Sequence, residues 1–275
     1  MACLPRVDGR KSRFRQLPAP QHIERLGESV RDTQTQSAFA PATVAGMSHA
    51  TAKVTIQAGV GLANLIVVMG LGLFAPAGTL QFVEGWVFLA LFFGAALAIT
   101  VYLASKDPAL LERRTHAGPI AEKQWSQKII QGVASVSFLS TMVVPALDHR
   151  FGWSHAPIPA VIAGDVLVVL GFLMVFLVFR ENTYTSSLIE VASEQRVIHT
   201  GPYAIVRHPM YVGGLVLVAG IPLALGSLVG LVTLPPFAAI LVWRLLDEER
   251  FLLGHLAGYA DYRQKVRWRL ILHVW

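Results

Sequence analysis

A chain of 275 residues that is 54% hydrophobic and only 15% charged, with positive mean hydropathy, carries too little polar surface for a soluble domain and reads as an integral membrane protein. The single cysteine, Cys3, excludes a disulfide framework and a cysteine metal site. A formal net charge of +6 points to nucleic acid only if the basic residues form a solvated patch, so their positions must be found first.

Residues 1–50 are polar, mix both charge signs and hold no apolar run long enough for a signal-peptide core. This segment reads as disordered or misassigned, since Met47 opens MSHATAKVTIQ directly before the first apolar run. Residues 51–181 follow as amino-terminal transmembrane helices, and 182–275 as a separate carboxy-terminal region. The apolar runs each approach the roughly 20 residues that cross about 30 Å of hydrocarbon. They cover about 54–74, 80–104, 129–147 and 160–179, with a charged loop between the second and third. The stretch 210–246 is too long for one crossing and is expected to break at Gly226-Ser227 into a helical hairpin, kinked by Pro222, Pro235 and Pro236. The fold class expected is all-α, a polytopic bundle of about six transmembrane helices.

With the amino terminus inside, 22 of the 23 Lys and Arg residues fall in cytoplasmic segments, and Arg150 alone falls outside. The chain is therefore expected to be N-in and C-in. The basic charge is an orientation signal and an attraction to anionic headgroups, which removes the case for a nucleic-acid partner.

The same orientation brings two polar islands to one cytoplasmic end. One is GPYAIVRHPMY, residues 201–211; the other contains EERFL and GYADY, residues 248–252 and 258–262. Pro209 suits the first turn of a helix, which leaves His208 at the cap and unpaired N–H groups facing any polar ligand. Arg244 and Glu248 are four residues apart, so they share a helix face close to hydrocarbon, where charge marks a site.

These elements together, RHPxY, then EExxL on a second helix, then GYxxY, resemble the isoprenylcysteine carboxyl methyltransferase family, integral-membrane enzymes that use S-adenosylmethionine. The resemblance runs from about Asn182 to Arg269. It implies a cofactor site built from Asn182, from Gln195, Arg196, Val197 and Ile198, from Tyr203, from His208, Pro209, Met210 and Tyr211, and from Glu248. Arg244 is implied to bind the substrate and to take part in catalysis. The acceptor implied is a lipophilic or amphipathic molecule reached from the membrane lipids, such as an isoprenylcysteine carboxylate. Where related chains often have a proline near the end, this one has Leu272, with local consequences for the tail.

Other readings of the same residues stay beside this one. Taken alone, Arg207 and His208 read as interface anchors, a reading that the downstream EERFL and GYADY weaken, with His208 the one base to test if the acceptor must lose a proton; Glu249 reads as a solvated helix face, and Tyr259 and Tyr262 as aromatic-belt packing. GSLVG, residues 226–230, has small-xxx-small helix-contact spacing. No HExxH, GxGxxG or GxxxxGK[ST] element occurs, so no metal site is expected and a soluble nucleotide-binding fold is unlike this chain. The alternatives are an NADPH-dependent membrane reductase of the sterol-reductase type and a non-catalytic membrane protein or carrier. Carriers keep their polar groups near the bilayer midplane, unlike these. The sequence is silent on oligomeric state.

Overall fold

The computed structural model describes residues 42–115, 125–185 and 195–275. Positions 1–41 of the segment read as disordered or misassigned, Cys3 among them, lie outside the described residues, as do 116–124 of the charged loop. Contacts divide the chain after Met47, and the architecture below is that of Ser48–Trp275.

Every described element is helical. In chain order these are α1 (Ala42–Ala77), α2 (Val83–Lys106), α3 (Pro108–Thr115), α4 (Trp125–Phe151), α5 (Ile158–Glu181), α6 (Pro209–Ala224), α7 (Leu234–His255) and α8 (Tyr259–Lys265), with 3-10 turns at Gly201–Ala204 and Val229–Thr233. Five stretches are long and apolar enough to cross a membrane: Ala52–Ala77, Val83–Lys106, Gln127–Phe151, Ile158–Glu181 and Val229–His255. Large side chains such as Val67, Leu71, Val101, Val136 and Ile162 are exposed along them, as expected where the solvent is lipid. Inside, Met69, Leu73, Phe88, Phe92, Met142, Val168, Ile221 and Phe237 share one core.

The expected hairpin is present, and its first arm is short. At 16 residues α6 spans only about 24 Å, less than the hydrocarbon thickness. Pro209 fixes its start, and Gly226, at φ +74, turns the chain just past its end. Such a helix is held by its neighbour. Gly164 and Gly171 on α5 face Gly220 and Leu217 on α6 so closely that a Cβ added at Gly164 would lie 2.2 Å from the Ala224 nitrogen, and one at Gly171 would lie 2.6 Å from the Leu217 nitrogen. A Cβ at Gly220 would meet the Gly164 carbonyl at 2.6 Å. Small residues that let backbones approach are the usual means of helix association in lipid.

GSLVG turns the chain at Gly226, and its Gly230 packs against α4, where a Cβ would lie 2.7 Å from the Pro145 ring. Ser227 donates to the buried Asp148 of α4, and Asp148 also accepts from the Ser154 backbone N–H and hydroxyl. The Ser154 hydroxyl in turn accepts from Leu228 N–H and Val229 N–H, so a buried carboxylate joins three chain segments at the end of the bundle away from the polar islands. Pro235 and Pro236 lie in the first turn of α7, where a missing N–H leaves no helical bond unmade, so they start the helix and do not kink it.

The charged loop at 105–128 contains a helix. Asp107 and Pro108 begin α3, with Leu110 N–H donating to the Asp107 carboxylate at 2.9 Å, and the helix buries Leu110 and Leu111. α4 begins at Trp125, four residues before the expected third crossing.

Candidate functional site

α3, the amino-terminal half of α4, the carboxy-terminal ends of α5 and α7, the start of α6, α8 and the tail meet at one end of the bundle. Two adjacent residues of the EE pair do different work there, because neighbours on a helix point about 100° apart.

Glu249 faces inward. It is only 4% exposed, which corrects its reading as a solvated helix face. Its Oε1 accepts from Arg207 Nε at 2.7 Å and lies 3.2 Å from His208 Nε2, while its Oε2 accepts from Arg269 Nε at 2.8 Å. Arg207 also donates to the Val266 and Arg267 carbonyls, and the 207–208 backbone pairs with the Trp268 and Arg269 carbonyls at 2.8 and 3.0 Å. Arg207 and His208, 6% and 5% exposed, are therefore buried partners of a carboxylate and not interface anchors. A carboxylate this deep is tolerated because each oxygen is paired and hydrogen-bonded.

Glu248 faces the other way, into a cavity of about 660 Å³, and Tyr211 donates its hydroxyl to it. The cavity collects every site residue read from the sequence. Asn182, Gln195, Arg196, Val197, Ile198 and Tyr203 form one wall; His208, Pro209, Met210 and Tyr211 form the start of α6; Arg244 and Glu248 face them from α7. Arg244 donates to Gln127 Oε1 at 3.4 Å, and Gln127, wholly buried on α4, donates to Asp247. His208 is the residue preceding α6, as expected, but its side chain makes no capping bond and turns to Glu249. Asn182 ends α5 and donates to the Tyr203 hydroxyl at 3.0 Å. Burial, partly offset by the Asn182 bond, pushes the Tyr203 phenol up to about 12.

Further residues line the cavity that the sequence reading did not assign to the site. Tyr259 and Tyr262 of α8 are buried cavity walls and not a belt at the lipid interface. Tyr262 donates to the Tyr203 carbonyl at 2.8 Å, and burial raises both phenols above their ordinary range. The Tyr259 hydroxyl is buried and has no hydrogen-bond partner among the described residues. Arg114 of α3 also lines the cavity, and Leu65, Val68 and Met69 of α1 with Phe138 and Leu139 of α4 give it an apolar side. Arg114 was legible in principle, since Asp107-Pro108 is a helix-start signature and Arg114 falls on the face of the buried Leu110 and Leu111.

The donor set suits an amphoteric polar ligand. Glu248 offers a carboxylate, Arg196 a cation, and the start of α6 the backbone N–H of Met210, since those of His208, Tyr211 and Val212 are bonded to carbonyls. Such a ligand has groups of both charges and several hydrogen-bonding atoms, as the amino-acid end and ribose of S-adenosylmethionine do.

Residues 159–257 match the family model described as phospholipid methyltransferase. That family comprises integral-membrane methyltransferases related to the isoprenylcysteine carboxyl methyltransferases, the group whose motifs the sequence resembles. The matched region runs from α5 to just past α7, and holds both RHPMY and EERFL. It supports a membrane methyltransferase. No curated protein matches the chain.

Proposed function

We propose that this protein is an integral-membrane, S-adenosylmethionine-dependent methyltransferase that methylates a lipophilic or amphipathic acceptor, a carboxylate of the isoprenylcysteine kind being the acceptor class its motifs imply. The observation that carries the reading is convergence: twelve residues chosen from short motifs over 67 positions of sequence line one cavity. The family match over residues 159–257 also supports the reaction class.

When bound, S-adenosylmethionine supplies a methyl group already activated on a sulfonium sulfur. The chain's own contribution is placement. Glu248, held by Tyr211, sets a negative charge in the cavity wall that would face the cofactor's cationic end, and the 195–198 segment and Tyr203 would hold the rest of it. Arg244, tied to α4 through Gln127, orients acceptor oxygens with its planar fork. Proximity and exclusion of water then lower the barrier by several kcal/mol. A carboxylate acceptor has no proton to lose, which agrees with His208 Nε2 being committed to Glu249.

Calorimetry on the detergent-purified protein tests this. S-adenosylmethionine is expected to bind the wild type, to bind Glu248→Ala at least about tenfold more weakly, and not to be displaced by NADPH. Binding of NADPH in its place would transfer the cavity to a reductase.

A further inference from the structure

The positive charge of the cavity exceeds what a single cofactor uses. Among the described residues lining it, Glu248 is the one carboxylate, against Arg114, Arg196, Arg207 and Arg244. Glu249 neutralises Arg207 from behind the wall. Arg196 lies in the 195–198 segment, which the proposed function gives to the cofactor. The other two guanidiniums are Arg114 from α3 and Arg244 from α7, the latter bonded to Gln127.

Arg114 is placed for a ligand. Its guanidinium sits 5.1 Å from the Phe179 ring centroid, and among the described residues no carboxylate or carbonyl accepts a hydrogen bond from it. α3 holds it there firmly: Leu110 and Leu111 are buried on the same face, and the neighbouring Arg113 donates to the Thr183 carbonyl. Burial and the charge of Arg244 hold its pKa down to about 10, so the two cations feel each other across the cavity. Such a repulsion is relieved by an anion set between them, and two planar forks match the oxygens of a carboxylate or a phosphate. Beside this pair the wall becomes apolar through Leu65, Val68, Phe138 and Leu139, and Val68 is also 47% exposed on the lipid-facing surface of α1.

We propose that Arg114 and Arg244 form one anion-binding site for the head group of the methyl acceptor, an amphiphile with a carboxylate or phosphate head and an apolar chain leaving past Val68. The proposal rests on the methyl-transfer reading of the same cavity and adds to it a binding residue outside the recognised motifs.

The test uses the full chain in neutral maltoside micelles, with dodecanoate and dodecyl phosphate as probes, zwitterionic dodecylphosphocholine as the control, and S-adenosylmethionine binding measured in parallel. One or both anionic probes should bind saturably, and at least about tenfold more weakly to Arg114→Gln and to Arg244→Gln. Arg114→Lys should recover part of the loss, which separates charge from folding, and Arg114→Gln should keep its affinity for S-adenosylmethionine. The stronger of the two probes identifies the head group as carboxylate or phosphate. Equal binding of dodecylphosphocholine, unchanged anion binding in Arg114→Gln, or a loss of S-adenosylmethionine affinity in its place would each overturn the proposal. Anion binding that depends on Arg114 in a protein that binds no S-adenosylmethionine would retain the anion site and end the methyl-transfer reading.

Discussion

Glu248 and Glu249 are chemically identical neighbours with separable tasks, and substitution should separate them. Glu249→Ala leaves Arg207 and His208 buried without their carboxylate, which destabilises by about 3–5 kcal/mol; thermal unfolding in detergent reads this directly. Glu248→Gln, which keeps the side-chain volume at the cavity wall, should leave the melting temperature within a few degrees and weaken S-adenosylmethionine binding instead. Equal melting losses in the two variants would dissolve the distinction. The tyrosines add a pH signature. Tyr203 is raised to about 12 by burial, against an ordinary value near 10, so the unfolded chain releases its proton first as pH rises. Its contribution is whole below pH 10 and is lost between about 10 and 12, with Tyr259 and Tyr262 shifted in the same direction. Melting temperature should fall steeply across that window in the wild type, and less so in Tyr203→Phe. From the sequence the EE pair was legible as a site but not as two faces, because which face meets the tail depends on where residues 266–269 return, and no local pattern records that.

At the level of elements, apolar length gave the long crossings, and Gly226-Ser227 gave the hairpin break. What it missed follows from the same physics. Hydropathy counts side chains, and the α5–α6 contact is made where side chains are absent. Gly164 and Gly171 lie seven residues apart on one helix, Gly213 and Gly220 seven apart on the other, a relation visible only once the two are known to be partners. Gly171→Ala or Gly220→Ala should therefore force the helices apart and destabilise by about 1–3 kcal/mol, as overpacking does, measured by the same melting assay. Gly214→Ala, where a Cβ meets nothing within 4 Å, is the matched control and should be neutral or slightly stabilising. α3 escaped for a different reason: eight residues with two arginines and a glutamate look like a loop until Leu110 and Leu111 are seen to be buried.

For the whole molecule, the polar site occupies one end of the bundle and the Asp148 network the other, and basic residues favour placing the site in the cytoplasm. In a variant with Cys3→Ser, a cysteine at the exposed Leu80 should react with an impermeant maleimide in intact cells, and one at the exposed Ser105 should react only after permeabilisation. The reverse pattern would invert the orientation and place the cavity outside.

The shortness of α6 has a consequence for biogenesis. A helix of 16 residues emerging from the insertion machinery has little claim of its own on the bilayer, and α5, already inserted, offers the glycine-lined surface that retains it. α5 is then a template for its successor as well as a wall of the bundle. Defects in that surface should be felt during synthesis, as chains removed by membrane proteases, so such variants would be scarce in the cell while each surviving copy bound its ligands normally.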